Sequence, residues 1–106
     1  MEESLSVISE VIEKYQSSGA ISVDNLIVML RRLVIHNLKL AEYNTKYFND
    51  YNAILYSHTG SVARAKIEAD NEVPELRQTR KIMEAVKNVI FAMQSELSII
   101  KSENKN

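Results

Sequence analysis

Two seven-residue repeats of mainly apolar residues run through most of this 106-residue chain. The first repeat consists of Leu26, Leu33, Leu40, Tyr47 and Ile54. A second set of residues is interleaved with it, each four positions after a member of the repeat. The second repeat consists of Val62, Ala69, Leu76, Met83, Ile90 and Leu97. Residues with this spacing stay on one face of an α-helix over many turns, as in helical bundles and coiled coils. The repeats therefore predict an all-α, coiled-coil-like bundle.

Few residues in the chain interrupt helices or suggest another class of protein. There are two glycines, one proline and no cysteine, which excludes disulfides and thiolate metal sites. The formal net charge of −1 gives no overall signal for nucleic acid. The longest apolar runs, at 26–30 and 89–93, are far too short to cross a membrane. Since the acidic N terminus is also unlike a secretory signal, we expect a cytoplasmic protein.

Three helices in a single domain account for nearly all of residues 1–106. We expect a short first helix over about 4–17 and a long second helix over about 22–56, capped by Ser22 or Asp24. A turn at 58–60 leads to a third helix over about 61–103, capped by Ser61. The two long helices would form an antiparallel hairpin, with the short helix beside it.

Pro74 interrupts the third helix. Proline lacks a backbone donor and clashes with the preceding turn, so the chain either kinks at this point or starts a new helix. The repeat of Val62, Ala69 and Leu76 continues across it. That continuity favours one helix with a kink.

Apolar residues outside the main repeats predict a homo-oligomer. Ile35 and Leu38 are examples on the second helix, and Val89 and Ile99 on the third. One short helix cannot cover them all, and each side chain left in water forgoes about 1.5–3 kcal/mol. The predicted interface lies on the third helix and comprises Met83, Val86, Ile90, Met93, Leu97 and Ile100. A monomeric three-helix bundle is the alternative.

Asn37 and Asn44 are two of the interleaved residues, four positions after Leu33 and Leu40 of the first repeat. Leucine would be more stabilising at these positions. Asparagine at such a position fixes the register and the number of helices in a coiled coil. Alternatively, the repeat drifts by about 20° per heptad around a straight helix, and the two residues leave the seam. The sequence leaves both interpretations open.

Recognisable catalytic motifs are missing from the sequence. His36 and His58 are far apart, and there is no glycine-rich phosphate loop, HExxH pair or nucleophile elbow. The cluster of Glu68, Asp70, Glu72 and Glu75 is more typical of a solvated helix face than of a cation site. We therefore expect no enzyme activity, no cofactor and no metal.

Positive charge is concentrated in two groups despite the nearly neutral total. One group, with His36 and Tyr43 between its members, consists of Arg32, Lys39 and Lys46. The other group consists of Arg64, Lys66, Arg77, Arg80 and Lys81. Cations neutralise phosphates and aromatic faces stack bases, so a basic strip with an aromatic suggests a groove for single-stranded nucleic acid. The alternative is a solvated face paired with an acidic segment.

Three further aromatic residues near the end of the second helix are Tyr47, Phe48 and Tyr51. Because they cluster at or beside the repeat positions, we expect them in the core rather than at a base-binding surface.

The C-terminal part of the chain contains ADNEV at 69–73, Phe91 and SELSIIKS at 95–102. These residues resemble the last helix of phage recombination mediators of the UvsY type, over roughly the last 60 residues. The resemblance implies a small helical protein that oligomerises and binds single-stranded DNA. It also implies a role in loading a recombinase onto strands covered by single-strand-binding protein. The longer basic and aromatic central segment of that family is missing here, and Arg64 and Lys66 are nearest to its position.

The residues and the resemblance together predict a non-enzymatic, phage-type accessory protein for recombination or replication. Its partners would be further copies of itself, single-stranded DNA, and a recombinase or a single-strand-binding protein. The alternative function is a helical interaction module that binds no nucleic acid, such as a virion component, an assembly chaperone or an inhibitor of a host protein.

Overall fold

A computed structural model describes residues 1–103, which form four α-helices and no strand. The helices are α1 (Glu2–Ser17), α2 (Val23–Ser57), α3 (Val62–Glu72) and α4 (Pro74–Glu103). The predicted all-α class is confirmed. Within this part of the chain, no helix combines the length and the apolar content that crossing a membrane requires.

Serine side chains begin α2 and α3. The Ser22 hydroxyl accepts a hydrogen bond from the Asn25 N–H at 3.2 Å, and the Ser61 hydroxyl accepts one from the Arg64 N–H at 3.3 Å. Each bond satisfies one of the N–H groups that the first turn of a helix leaves without a partner. The cap expected at Ser61 is therefore confirmed, and of the two candidates for α2, Ser22 and Asp24, the structure has Ser22.

The predicted third helix is two helices in the structure. The Val73 N–H still donates to the Ala69 carbonyl at 2.9 Å, but the Val73 backbone leaves the helical conformation, with φ −126° and ψ 61°. Pro74 is the first residue of α4, a position where its missing N–H and fixed φ are tolerated. The expectation of one continuous, kinked helix is therefore corrected, because Pro74 starts a new helix.

The other helices all pack along α2. The Ser4 hydroxyl lies 3.0 Å from His36 Nδ1, near the middle of α2, and the Tyr15 hydroxyl donates to Glu96 Oε2 at 3.0 Å. Further along α1, Glu10 Oε2 lies 3.8 Å from Arg32 Nη2, which comes earlier in α2 than His36. α1 therefore runs antiparallel to α2, and its C-terminal end lies beside the last turns of α4. α3 packs against α2 near the turn that joins them.

The core lies where α1, α2 and α4 meet. Its buried residues come from all three helices and comprise Ile8, Val11, Leu26, Leu33, Leu40, Val86 and Met93. The three leucines have no exposed surface. The three leucines of the first sequence repeat thus form the central row of the core, whereas its last two members, Tyr47 and Ile54, are half-buried.

Two residues of the predicted oligomer interface belong to this core. Val86 and Met93 have no exposed surface because α4 turns them inward, into one cluster with the leucines of α2. Side chains that the chain itself has buried cannot contact a second copy, so the interface prediction is wrong for these two. Its other members are half-buried, and they are Met83, Ile90, Leu97 and Ile100.

Asn44 fixes the register of α2 against α4. Its Nδ2 donates to Thr79 Oγ1 at 2.8 Å and to the Leu76 carbonyl at 3.3 Å. Asn44 is thus paired across the contact between α2 and α4 of one chain, and its effect on the number of helices in an assembly stays a prediction. Asn37 differs, since its buried Oδ1 accepts no hydrogen bond within residues 1–103.

The hydrogen bond between Tyr15 and Glu96 makes stability depend on pH. Burial raises the pKa of Tyr15 above its ordinary value of 10.0, and the Glu96 carboxylate raises it further. Because the folded pKa is the higher one, this stabilisation is complete below the unfolded pKa and is lost as the pH rises through the folded pKa. Tyr15→Phe should lower the free energy of unfolding by about 1 kcal/mol at neutral pH.

The measurement is urea unfolding near pH 7 and again above about pH 10, where unperturbed tyrosine ionises. Between these two pH values, the free energy of unfolding should fall further for wild type than for Tyr15→Phe. Tyr56→Phe is the control because Tyr56 is 88% exposed. Equal losses in wild type and Tyr15→Phe would contradict the expected role of this bond.

Candidate nucleic-acid interface

A groove of about 840 Å³ lies where α3 and α4 meet the C-terminal half of α2. Val73 and Pro74 form part of its wall, so the break between α3 and α4 contributes to its shape. The charged side chains that line it are Lys66, Asp70, Arg77, Arg80, Lys81 and Glu84. We call it the basic groove, since four of these six side chains are cationic.

The spacing along α4 explains why most of these charges share the groove. Arg77, Arg80 and Glu84 are three and four residues apart, which places them on one face of a helix. Lys81 is adjacent to Arg80, and both are exposed. Lys66 comes from α3, on the other side of the helix break. The structure therefore brings together four of the five cations in the predicted second group.

Phe48 provides an exposed aromatic ring in the basic groove. The ring is 43% exposed, and the Arg80 guanidinium carbon lies 5.7 Å from its centroid. This distance is that of a cation–π contact. The prediction that Phe48 lies in the core is wrong. Phe48 comes one residue after the repeat position of Tyr47, so its side chain is rotated by about 100° around α2 from that position. This offset was the sequence signal that Phe48 lies outside the core.

Tyr51 and Asp70 also line the basic groove. Burial raises the pKa of the Tyr51 phenol and the Asp70 carboxylate raises it further, whereas Arg77 and Arg80 lower it. Tyr51 therefore stays protonated at neutral pH and retains a hydroxyl donor. Asp70 Oδ2 lies 3.9 Å from Arg77 Nη2, but such exposed pairs contribute little, so Arg77 remains available to a phosphate.

Arg64 lies outside the basic groove. It lines a separate cavity of about 390 Å³ beside the turn between α2 and α3. In that turn, His58 Nε2 lies 3.0 Å from Glu68 Oε2, and the Gly60 N–H donates to His58 Nδ1 at 2.9 Å. The prediction that groups Arg64 with the other cations of its region is therefore corrected, because α3 presents Arg64 and Lys66 to different cavities.

The predicted first group lies on another side of α2. We call it the α2 strip, and it consists of Arg32, Lys39 and Lys46. Arg32 Nη2 is 3.8 Å from Glu10 Oε2 of α1. The two lysines line a cavity of about 490 Å³ together with Glu3 and Glu42. Three carboxylates thus lie beside the three cations of the α2 strip, whereas the basic groove has two carboxylates for four cations. This balance of charge makes the α2 strip the weaker phosphate site.

The acidic cluster noted in the sequence does not converge on one point. Glu68 contacts His58, whereas Asp70 lies in the basic groove beside Arg77. Over residues 1–103, no three histidine, cysteine or carboxylate side chains are placed to hold a metal ion.

Comparison of the chain with protein-family models, with curated proteins and with solved structures finds no match in any of the three. The inference of a binding activity therefore depends on the side chains of the basic groove and their geometry.

Proposed function

We propose that this chain binds single-stranded DNA in the basic groove. The observation that supports this best is the exposed Phe48 ring beneath Arg80, with further cations in the same groove. Arg77 and Lys81 would neutralise phosphates while a base stacks on Phe48. Stacking needs no particular base, so we expect little sequence preference.

The aromatic contact favours a single strand over a duplex. Phe48 offers a ring face, and a base presents its own face only when it is not stacked inside a double helix. Tyr51 would add a hydroxyl donor for a phosphate or a base edge. A duplex would have only the charges to bind, and we therefore expect weaker binding to it.

The biological role that we propose is that of a non-enzymatic, phage-type accessory protein in recombination or replication. The resemblance of 69–73 and 95–102 to UvsY-type mediators supports this role. In that role, copies of the chain would self-associate. They would act in the cytoplasm, assisting a recombinase on strands covered by single-strand-binding protein.

A helical protein-interaction module is the second candidate function. It is supported by exposed apolar residues on α2, where Ile35 is 51% and Leu38 64% exposed. A protein partner could cover such residues. This candidate predicts no affinity for DNA, whereas the first requires it.

Replacing Phe48 tests the proposed stacking. Phe48→Ala should raise the Kd for oligo-dT about tenfold, since a stacked base is worth about 1–3 kcal/mol. Phe48→Tyr should bind like wild type because it keeps a ring face. Fluorescence anisotropy of a labelled oligo-dT strand measures the Kd of wild type and of both variants.

Tyr43→Ala is the matched control, because Tyr43 is the aromatic residue beside the α2 strip and is 37% exposed. It should leave the Kd unchanged. If Tyr43→Ala weakens binding more than Phe48→Ala does, the strand lies on the α2 strip instead of in the basic groove.

A further inference from the structure

On the side of α2 that faces away from the core, exposed apolar residues form a further repeat, separate from the two repeats described above. Val28, Ile35 and Leu38 are 56%, 51% and 64% exposed. They are not among the residues that pack on the core, which leaves them in contact with solvent. Their spacing of seven and three residues is that of a seam along which one helix packs against another.

Polar residues extend this repeat in both directions. They are exposed, and they are Asp24, Arg31, Glu42, Thr45 and Asn49. We call the whole set the outer seam, with positions 24, 28, 31, 35, 38, 42, 45 and 49. At about 1.5 Å per residue it is roughly 38 Å long.

The outer seam is complementary to itself when its direction is reversed. Two copies of α2 can lie antiparallel with their points between residues 36 and 37 side by side. Every seam position of one copy then faces a seam position of the other copy. At the centre, Ile35 of one copy meets Leu38 of the other. On either side of this apolar centre, Arg31 of one copy meets Glu42 of the other. Two antiparallel copies of α2 would therefore bury apolar surface between two pairs of opposite charges.

Parallel helices would lack this match. In register, they would place Arg31 against Arg31 and Glu42 against Glu42, and such like-charge contacts oppose association. Within the described residues, neither Arg31 nor Glu42 takes part in an ion pair. Glu42 lines a cavity with Lys39 and Lys46 but forms an ion pair with neither, so both Arg31 and Glu42 can pair with a second copy.

We propose that two copies of this chain associate through the outer seam, with their α2 helices antiparallel. The contact is isologous, since the same surface of each copy forms both sides of it. This dimer does not depend on the proposed DNA binding. Phe48 lies roughly 100° around α2 from the middle of the seam, so the contact leaves both basic grooves open.

A charge-swap series tests the dimer. Sedimentation velocity of wild type should give twice the mass of the chain. Arg31→Glu and Glu42→Arg should each raise the dimer Kd at least about tenfold, because each places like charges opposite one another. The double variant carrying both substitutions should dimerise like wild type. Ile99→Glu is the control, since Ile99 is 59% exposed on α4, outside the outer seam.

Disulfide formation tests the orientation of the helices. The chain has no cysteine of its own, so introduced thiols report without interference. Val28→Cys and Thr45→Cys face each other in the antiparallel dimer, and an oxidised mixture of the two should give a covalent dimer. Each variant alone should give none, because its two copies of the thiol would lie about 26 Å apart along the helix.

Three results would overturn the proposal. They are a monomeric wild type at about 100 µM, single charge reversals that dimerise like wild type, and a Val28→Cys variant that crosslinks to itself more readily than to Thr45→Cys. Circular dichroism should show unchanged helicity in every variant, since the substituted residues are exposed. DNA binding by a monomeric wild type would mean that the dimer proposal alone has failed.

Discussion

Replacing Arg77, Arg80 and Lys81 together with alanine is expected to weaken single-stranded DNA binding by about 100-fold at about 100 mM salt. All three side chains are exposed and line the basic groove, so their loss removes phosphate contacts without disturbing the core. Each phosphate contact on a single strand contributes about 0.7 to the slope of log K against log salt, so the slope should fall by about 2. Anisotropy titrations over a range of salt concentrations measure both quantities.

The matched control for this variant is the α2 strip. Replacing Arg32, Lys39 and Lys46 with alanine changes the net charge by the same amount on another side of α2. Because as many carboxylates as cations lie at this strip, its local field is weak, and we expect less than about a threefold change in Kd. Equal losses in the two triple variants would mean that only net charge matters, and the groove would then have no special role.

Leu33→Ala is expected to lower the free energy of unfolding by about 2–5 kcal/mol. Leu33 has no exposed surface and lies in the central row of the core. Its truncation removes buried apolar surface and leaves a cavity that the neighbouring helices fill only in part. Such a loss is a large fraction of the total stability of a small domain, which is about 5–15 kcal/mol. Denaturant unfolding followed by circular dichroism measures it.

Ile99→Ala is the control for this prediction, since Ile99 is 59% exposed on α4. We expect it to change the free energy of unfolding by less than about 0.5 kcal/mol. A Leu33→Ala protein as stable as Ile99→Ala would contradict the packing of α1, α2 and α4 around the leucine row.

The central row of the core could be predicted from the sequence because its signal is local. Leu26, Leu33 and Leu40 repeat every seven residues, and a seven-residue repeat specifies one face of a helix. The structure buries all three completely. The cap at Ser61 was predicted for the same reason, since a cap involves residues three apart, whereas the sequence left Ser22 and Asp24 as alternatives for α2.

The neighbours of a buried face could not be predicted in this way. Val86 and Met93 were correctly placed on an apolar seam, but periodicity does not specify which element covers that seam. In the structure, α2 covers it together with α1. Pro74 was ambiguous for a related reason, because the repeat continues across it whether the chain kinks or starts a new helix.

The candidate site was predicted in its cations but not in its exposed aromatic ring. The spacing of Arg77, Arg80 and Lys81 along α4 places them on neighbouring positions of a helix surface, as the structure has them. The difference between the basic groove and the α2 strip depends on the docking of α1, which brings Glu10 to Arg32. That contact joins residues distant in sequence, and no local pattern indicates it.

The most direct test of the proposed function is a titration of labelled oligo-dT with the full chain at about 50 and about 200 mM salt, followed by fluorescence anisotropy. If the four cations of the basic groove contact phosphates, binding should be clear at the lower salt and should weaken roughly 50-fold at the higher. No binding at the lower salt would contradict single-stranded DNA binding by this chain.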